Sequence, residues 1–162
     1  MQNYETLIKN LSRHEVEFII VGGFAAVIHG VTLVTKDLDL CIPFSQKNCQ
    51  SLLKALKELK PFHRMDFNKK TLEDSAENLC KYNNLYLGTN AGTLDLLGTI
   101  KGLGNYQELQ PYTVETKLYG YSCKVADIEA LIKSKKEMSS FKDQQTVIQL
   151  EAIKQKNGPS PK

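Results

Sequence analysis

The sequence predicts an α/β (α+β) fold, in which a mixed, twisted β-sheet is flanked by helices and two C-terminal helices pack on it. A short β-branched run, "VEFIIV" (16–21), is typical of a buried strand and stops at two glycines. The run "TKDLDLCI" (35–42) alternates polar and apolar residues, which predicts a strand with one buried face. Apolar residues at helical spacing recur before and after these strands, so we expect helices on the sheet.

The elements of the N-terminal half follow from the same periodicities. Residues 3–13 predict an amphipathic helix, and "FAAVIH" (24–29) predicts a short apolar one. Ser45 is placed to cap a third helix, which Pro61 ends. Residues 62–82 are polar and show no clear period, so they predict no particular element.

The C-terminal half predicts further strands and then helices. The runs "NNLYLGT" (83–89) and "GTLDLLGT" (92–99) predict two strands joined by a turn. The run "IKGLGNYQELQP" (100–111) is typical of a loop, and residues 112–125 predict strand structure interrupted by a glycine. Asp127 is a suitable N-cap for the first of two C-terminal helices.

Length and composition favour one domain over residues 1–156 and a disordered tail over 157–162. The net charge of +3 permits contact with nucleic acid but does not indicate it. The four cysteines contain no C-x-x-C pair, so neither a zinc site nor a disulfide framework is predicted. No segment has the character of a signal peptide or a membrane span, so we expect a cytoplasmic protein without a membrane partner.

Two glycines join the first predicted strand to the helix that follows it. Gly22 and Gly23 let the backbone approach a ligand closely, and the N–H groups at a helix start favour an anion such as phosphate. A tight turn without any ligand has the same sequence. The glycine pair alone therefore leaves both interpretations open.

Carboxylates on two predicted strands make the phosphate interpretation more specific. Thr35, Asp37 and Asp39 alternate along one strand and are expected to share a face. Neighbouring carboxylates repel each other unless a cation lies between them, and Mg²⁺ or Mn²⁺ prefers such oxygen ligands. Asp95, in the apolar run "LDLL", is a third carboxylate that is costly to bury without a partner. A solvent-exposed strand face is the alternative for the pair, and a strand-edge position is the alternative for Asp95.

Together these motifs resemble the nucleotidyltransferase superfamily, which has the fold of DNA polymerase beta. Its pattern is a Gly-Gly or Gly-Ser turn, then D-x-D, then a third acidic residue on a neighbouring strand; "VGGFAAVIHG", "TKDLDL" and "LDLL" match it in that order. The His-Gly end of the apolar helix and the C-terminal run "DIEALIKSKKEMSSFKDQQ" are similar to small bacterial proteins related to AbiEii-type toxins and to minimal nucleotidyltransferases. The resemblance covers roughly residues 15–155.

The resemblance implies a metal-dependent enzyme that moves a nucleoside monophosphate from an NTP to a hydroxyl group. Asp37, Asp39 and Asp95 would be the catalytic residues and would ligate Mg²⁺ or Mn²⁺, and Asp95 would also act as base toward the acceptor. The nucleotide would be held by the glycine turn, the threonine before D-x-D and a C-terminal lysine, namely Gly22, Gly23, Thr35 and Lys135. Lys142 is an alternative to that lysine.

The acceptor implied by the resemblance is an RNA, a protein or a small molecule. The short chain favours an enzyme that depends on a partner, such as one half of a toxin–antitoxin pair. Leu33 stands where many relatives carry arginine, and Thr146 stands where an acid is frequent. An inactive module that binds a nucleotide or a partner is therefore the alternative. A nucleic-acid binder that uses the lysine-rich residues 133–142 is a third interpretation.

Overall fold

The computed structural model describes residues 2–157. In chain order, its helices are α1 Tyr4–Arg13, α2 Gly22–Ile28, α3 Gln46–Leu56, α4 Ala76–Leu79, α5 Tyr106–Leu109, α6 Ile128–Lys136 and α7 Phe141–Lys156. Its strands are β1 Ile19–Val21, β2 Asp37–Cys41, β3 Phe62–His63, β4 Asn84–Thr89, β5 Gly92–Leu97, β6 Thr99–Ile100, β7 Gly104–Asn105, β8 Thr113–Leu118 and β9 Tyr121–Ala126. Residues 158–162 of the expected C-terminal tail lie outside the described residues.

One seven-stranded sheet organises the molecule, with the strand order β3-β4-β5-β2-β1-β9-β8. Strand β1 is parallel to β9, and β2 is parallel to β5. The other neighbouring pairs are antiparallel, and β6 and β7 form a separate two-stranded ribbon. The mixed sheet with flanking helices that the sequence predicts is confirmed. Strand β1 lies between β2 and β9, which places the Gly-Gly turn beside the D-x-D strand.

The centre of the sheet is buried against helices, and this burial determines which strand face remains available for chemistry. Leu38 and Leu40 on β2, with Leu94 and Leu96 on β5, are fully buried. Each such side chain stabilises the fold by about 1.5–3 kcal/mol relative to exposure. Because side chains alternate along a strand, the intervening positions of β2 and β5 face the other side. The apolar residues therefore hold the predicted carboxylates on one common face.

Helix starts follow the predicted capping chemistry. The Ser45 hydroxyl accepts a hydrogen bond from the Asn48 N–H at the start of α3. The Asp127 carboxylate does the same for the Ala130 N–H at the start of α6. Both predicted caps are confirmed, and each satisfies a donor that the helix itself leaves free. No helix within residues 2–157 is both long and apolar enough to cross a membrane.

Two predictions about local structure are wrong. The segment 100–111 is not a plain loop: it contains β7 and the short helix α5, which begins with a reciprocal capping box between Asn105 and Glu108. Thr35 does not lie on β2, which begins at Asp37. The Thr35 carbonyl accepts the Tyr4 hydroxyl, and its own hydroxyl donates to the Asp37 carbonyl. These bonds fix Thr35 in the connection that precedes the strand.

Candidate active site

Asp37, Asp39 and Asp95 lie together on two neighbouring parallel strands. In the register of β2 and β5, Asp39 is directly opposite Asp95, and Asp37 is opposite Thr93. The strands hold the carboxylates on the face opposite their buried leucines. The structure thus brings together the three acidic residues that the sequence predicts to act as a set.

The cluster is electrostatically strained. Burial, together with the nearby Asp95 and Asp37 carboxylates, raises the pKa of Asp39 to about 7. Burial also raises the pKa of Asp95, although the Arg64 guanidinium opposes that shift. Asp39 and Asp95 are close enough for each carboxyl to influence the pKa of the other. Carboxylates this close repel each other, which favours a cation between them.

A hydroxyl group that the sequence analysis missed orients the first carboxylate. The Thr93 hydroxyl lies 2.5 Å from the Asp37 Oδ1 atom and 3.0 Å from the Lys36 carbonyl oxygen. Thr93 is two residues before Asp95 on β5 and shares its face. The alternation that identified Asp95 therefore also contained the signal for Thr93.

The glycine pair makes room for the site. Gly22 has a φ of +70°, and a Cβ atom there would overlap the Asp39 Oδ2 atom. A Cβ atom on Gly23 would lie 3.0 Å from the Thr35 hydroxyl oxygen. Helix α2 begins at Gly22 without a side-chain cap. The two glycines therefore let the start of α2 lie directly against Asp39 and Thr35.

Lys135, predicted to contact the nucleotide, lies beside the cluster but already has a partner. Its ammonium group forms an ion pair with the Asp143 carboxylate at 3.1 Å, and each side chain is only 16% exposed. Although burial opposes the shift, hydrogen bonds from Ser140 and Lys135 lower the pKa of Asp143. The Lys135 charge also lowers the pKa of Asp39. Lys135 is thus held by Asp143 within electrostatic reach of the carboxylate cluster.

A cavity of about 440 Å³ opens in front of these residues. Its volume falls within the range that is usual for small-molecule sites. Its polar lining contains most of the predicted nucleotide-binding set and two further lysines: Gly23, Thr35, Lys36, Asp37, Asp39, Lys135 and Lys142. A smaller, apolar cavity of about 190 Å³ lies on the other side of Asp39 and reaches Gly22.

A larger cavity of about 700 Å³ lies elsewhere, between Leu53 on α3 and the segment that carries Lys60 and Lys69. None of the three clustered carboxylates lines it. Size alone does not identify a reaction centre, because the chemistry needs several charged groups in one place. We therefore take the 440 Å³ cavity as the candidate active site.

Arg64 is the most important residue that the sequence analysis missed. Its Nη2 group donates to the Asp95 Oδ1 atom, and the Arg64 and Asp95 side chains are 27% and 15% exposed. The guanidinium carbon lies 5.9 Å from the centre of the Tyr86 ring. The buried Arg64 Nε atom has no hydrogen-bond partner among residues 2–157. Arg64 comes from the segment without a clear period, so no local pattern indicated it.

His29, at the end of the apolar helix α2, has a structural role. Its Nε2 atom lies 2.8 Å from the Ala126 carbonyl oxygen, a distance that makes it the donor. Leu33 and Thr146, the two departures from the family pattern, both line the 440 Å³ cavity. The Thr146 hydroxyl donates to the Lys142 carbonyl, so it is satisfied within α7.

The donor chemistry of the cluster fits a hard divalent cation, because carboxylate oxygens are the ligands that Mg²⁺ and Mn²⁺ prefer. Within residues 2–157, however, no group of three or more histidine, cysteine, aspartate or glutamate side chains has an arrangement that could hold a metal ion. No protein-family model matches the chain, and the search of curated proteins found no match. The resemblance to nucleotidyltransferases therefore stays a prediction from the motifs.

Proposed function

We propose that the protein is a metal-dependent nucleotidyltransferase with the fold of that superfamily. The reaction would move a nucleoside monophosphate from an NTP to a hydroxyl group of an acceptor. One observation carries the proposal: Asp37, Asp39 and Asp95 lie on one face of two adjacent strands, beside a cavity lined by lysines. This combination of clustered acids and nearby cations is what phosphoryl transfer requires.

The three carboxylates would hold Mg²⁺ or Mn²⁺. When bound, such a cation neutralises the charge on the phosphate oxygens. Support comes from the raised pKa of Asp39, which burial and the neighbouring Asp95 and Asp37 carboxylates cause, because a divalent cation would relieve this repulsion. The Thr93 hydroxyl would keep Asp37 in a fixed orientation.

The polar cavity would hold the triphosphate. Its lining supplies positive charge from Lys36, Lys135 and Lys142 and a hydroxyl group from Thr35. Helix α2 is only seven residues long, so its dipole is small and the lysines would provide most of the attraction. Gly23, without a side chain, leaves room for a phosphate group to approach the backbone.

Asp95 would serve the acceptor. The acceptor hydroxyl oxygen would attack the α-phosphorus atom while the bond to the bridging oxygen of pyrophosphate breaks. The hydroxyl proton would pass to the Asp95 carboxylate, and pyrophosphate would leave. The raised pKa of Asp95, caused mainly by burial, supports this role because it makes the carboxylate a stronger base.

The acceptor would be an RNA, a protein or a small molecule. Within the superfamily, the motifs are most similar to small proteins related to AbiEii-type toxins, which supports an enzyme paired with an antitoxin or another partner. This part of the proposal rests on the resemblance alone.

A second candidate is a module of the same fold that binds a nucleotide or a partner without catalysis. Two ion pairs favour it: Arg64 with Asp95, and Lys135 with Asp143. In this state, two of the cations nearest the cluster are already neutralised by protein groups. A site that needs no metal for its stability is compatible with a binding role.

Transfer from the four α-³²P-labelled NTPs into total cellular RNA and protein, with Mg²⁺ or Mn²⁺, tests the proposal. Wild type is compared with Asp37→Asn/Asp39→Asn and with Glu58→Gln, which removes one exposed carboxylate away from the cluster. We expect label with wild type and Glu58→Gln only. No label from folded wild type, together with Mg²⁺-dependent nucleotide binding, would support the binding module instead.

A further inference from the structure

Arg64 presents an incompletely used edge to the cluster. The Nε and Nη2 atoms of a guanidinium lie on the same edge and bind two oxygen atoms side by side. In Arg64, Nη2 donates to the Asp95 Oδ1 atom, whereas Nε is buried and has no partner among residues 2–157. A buried donor without an acceptor is unfavourable, so this edge is suited to a further anionic oxygen.

Contacts with neighbouring residues hold Arg64 in position. Its backbone N–H donates to the Tyr86 carbonyl, and its guanidinium lies over the Tyr86 ring. The preceding residue, His63, is 3.0 Å from the Asp74 carboxylate, which also accepts the Tyr82 hydroxyl. These contacts hold the guanidinium against Asp95 from the turn that follows β3, the edge strand of the sheet.

Arg64 and a divalent cation would compete for the same negative charge. Asp95 is directly opposite Asp39 in the strand register, so a cation bound by both would lie close to the guanidinium. Two positive groups on one carboxylate repel each other, and this repulsion is strong in a partly buried site. Occupation of the cluster by a cation therefore favours a different anion as the partner of Arg64.

We propose that Arg64 is a positioning residue that exchanges partners during nucleotide binding. It pairs with Asp95 while the cluster holds no cation, and it binds a non-ester phosphate oxygen once a cation and a nucleotide are bound. This inference rests on the proposed function. It adds a residue beside Asp95 that contacts the transferred phosphate.

The exchange predicts opposite effects of one substitution on two ligands. Arg64→Gln removes the competitor, so Mn²⁺ alone should bind about tenfold more tightly. It also removes the donor to phosphate, so tripolyphosphate at saturating Mn²⁺ should bind about tenfold more weakly. Arg64→Lys keeps the charge but loses the fork, so it should retain the wild-type Mn²⁺ affinity and bind tripolyphosphate more weakly.

Mn²⁺ binding is measured by electron paramagnetic resonance and tripolyphosphate binding by calorimetry, which makes the test independent of activity and of the base. Arg13→Gln, which removes an exposed arginine on α1, is the matched control, and circular dichroism checks folding. The Mn²⁺ binding that is lost in Asp37→Asn is the binding due to the carboxylate cluster. Opposite shifts for Mn²⁺ and tripolyphosphate in Arg64→Gln support the exchange.

Weakening of both ligands by Arg64→Gln would overturn the exchange and leave Arg64 a merely structural role. Unchanged affinity for either ligand would overturn it as well. If wild type binds Mn²⁺ and Asp37→Asn does not, such a result refutes the Arg64 inference alone. If wild type binds no Mn²⁺ that Asp37→Asn abolishes, the proposed function fails, and the inference fails with it.

Discussion

Asp39 and Asp143 are two carboxyl groups on either side of Lys135, and their surroundings shift their pKa values in opposite directions. Burial and two neighbouring carboxylates raise the pKa of Asp39 to about 7. At Asp143, hydrogen bonds from Ser140 and Lys135 overcome the effect of burial and lower the pKa. Burial is the largest cause of the rise at Asp39, and it also acts to raise the pKa of Asp143, where hydrogen bonds outweigh it.

The two carboxylates also differ in how many hydrogen-bond donors they contact. Asp143 has an ammonium group and a hydroxyl group as partners, so its charge is satisfied and it fixes Lys135 in place. Asp39 lies next to two other carboxylates, so its negative charge is not neutralised and would be stabilised by a cation. Asp143 is therefore a structural carboxylate that positions Lys135, whereas Asp39 is a carboxylate with a perturbed pKa, as is common at functional sites.

Removal of Lys135 should have the largest effect, because that residue serves both carboxylates. If the proposed function holds, Lys135→Met should reduce nucleotide transfer by about 100-fold, in keeping with loss of a positioned cation at a phosphate. Lys136→Met is the matched control, since Lys136 is the next residue on α6 and is 60% exposed. Initial rates of label transfer measure both. Equal rates for the two variants would contradict a role of Lys135 at the phosphate.

The second prediction concerns the effect of Asp39 on the free energy of unfolding. The folded-state pKa of about 7 lies above the value of 3.8 for a free carboxyl, so the penalty for ionising Asp39 is absent below pH 3.8 and complete above pH 7. Asp39→Asn should therefore raise the free energy of unfolding by about 2 kcal/mol at pH 8, allowing for solvent relaxation, and by less at pH 5.

Urea denaturation in the presence of a chelator, at pH 5 and at pH 8, measures this effect of Asp39→Asn. A gain of equal size at both pH values would mean that Asp39 is not held at a raised pKa. A loss at pH 8 would mean that its negative charge is already compensated in the metal-free protein.

Replacing Asp143 should change the unfolding free energy in the opposite direction from replacing Asp39, and by a smaller amount. Because its pKa is lowered in the folded state, its ionisation stabilises the protein above the unfolded pKa, and this stabilisation is lost as the pH falls through the folded value. Asp143→Asn should cost about 1 kcal/mol of unfolding free energy at pH 7. Urea midpoints at pH 7 and pH 3 test this. A cost that persists undiminished at pH 3 would show that the effect is not electrostatic.

The smallest effect is expected at a surface ion pair on the same helices. Lys136 and Glu151 are 3.0 Å apart, with side chains 60% and 48% exposed. Glu151→Gln should change the unfolding free energy by less than about 0.5 kcal/mol, and less again at high salt. The measurement is the same urea titration at low and high salt. If Glu151→Gln changed the unfolding free energy as much as Asp143→Asn does, the difference in burial between the two ion pairs could not explain their different strengths.

The acidic part of the site could be predicted from the sequence because it lies on strands. The two-residue period of a strand places Asp37 and Asp39 on one face of β2 and Asp95 on one face of β5. The apolar residues between them are buried, which fixes the orientation of each strand. Thr35 was assigned to the same strand because the alternation extends to it. Its hydrogen bonds with Tyr4 and Asp37, which no alternation encodes, decide its actual place.

Arg64, the basic residue beside Asp95, could not be predicted in this way. Arg64 reaches Asp95 because β3 pairs with β4, which in turn pairs with β5, and the β3–β4 pairing joins residues that are distant in the chain, such as Phe62 and Gly88. Such registers depend on the whole sheet and leave no local period. Helix α5 is different, since Asn105 and Glu108 form a capping signature that was visible in the sequence.

Gly22 shows how a residue without a functional group can be the least replaceable in the site. Its backbone has a φ of +70°, and any side chain there would meet the Asp39 carboxylate. In a library that samples every amino acid at each position, position 22 should therefore tolerate none but glycine. A map of mutational tolerance alone would then rank this position beside the clustered acids, although it contributes only the absence of a side chain.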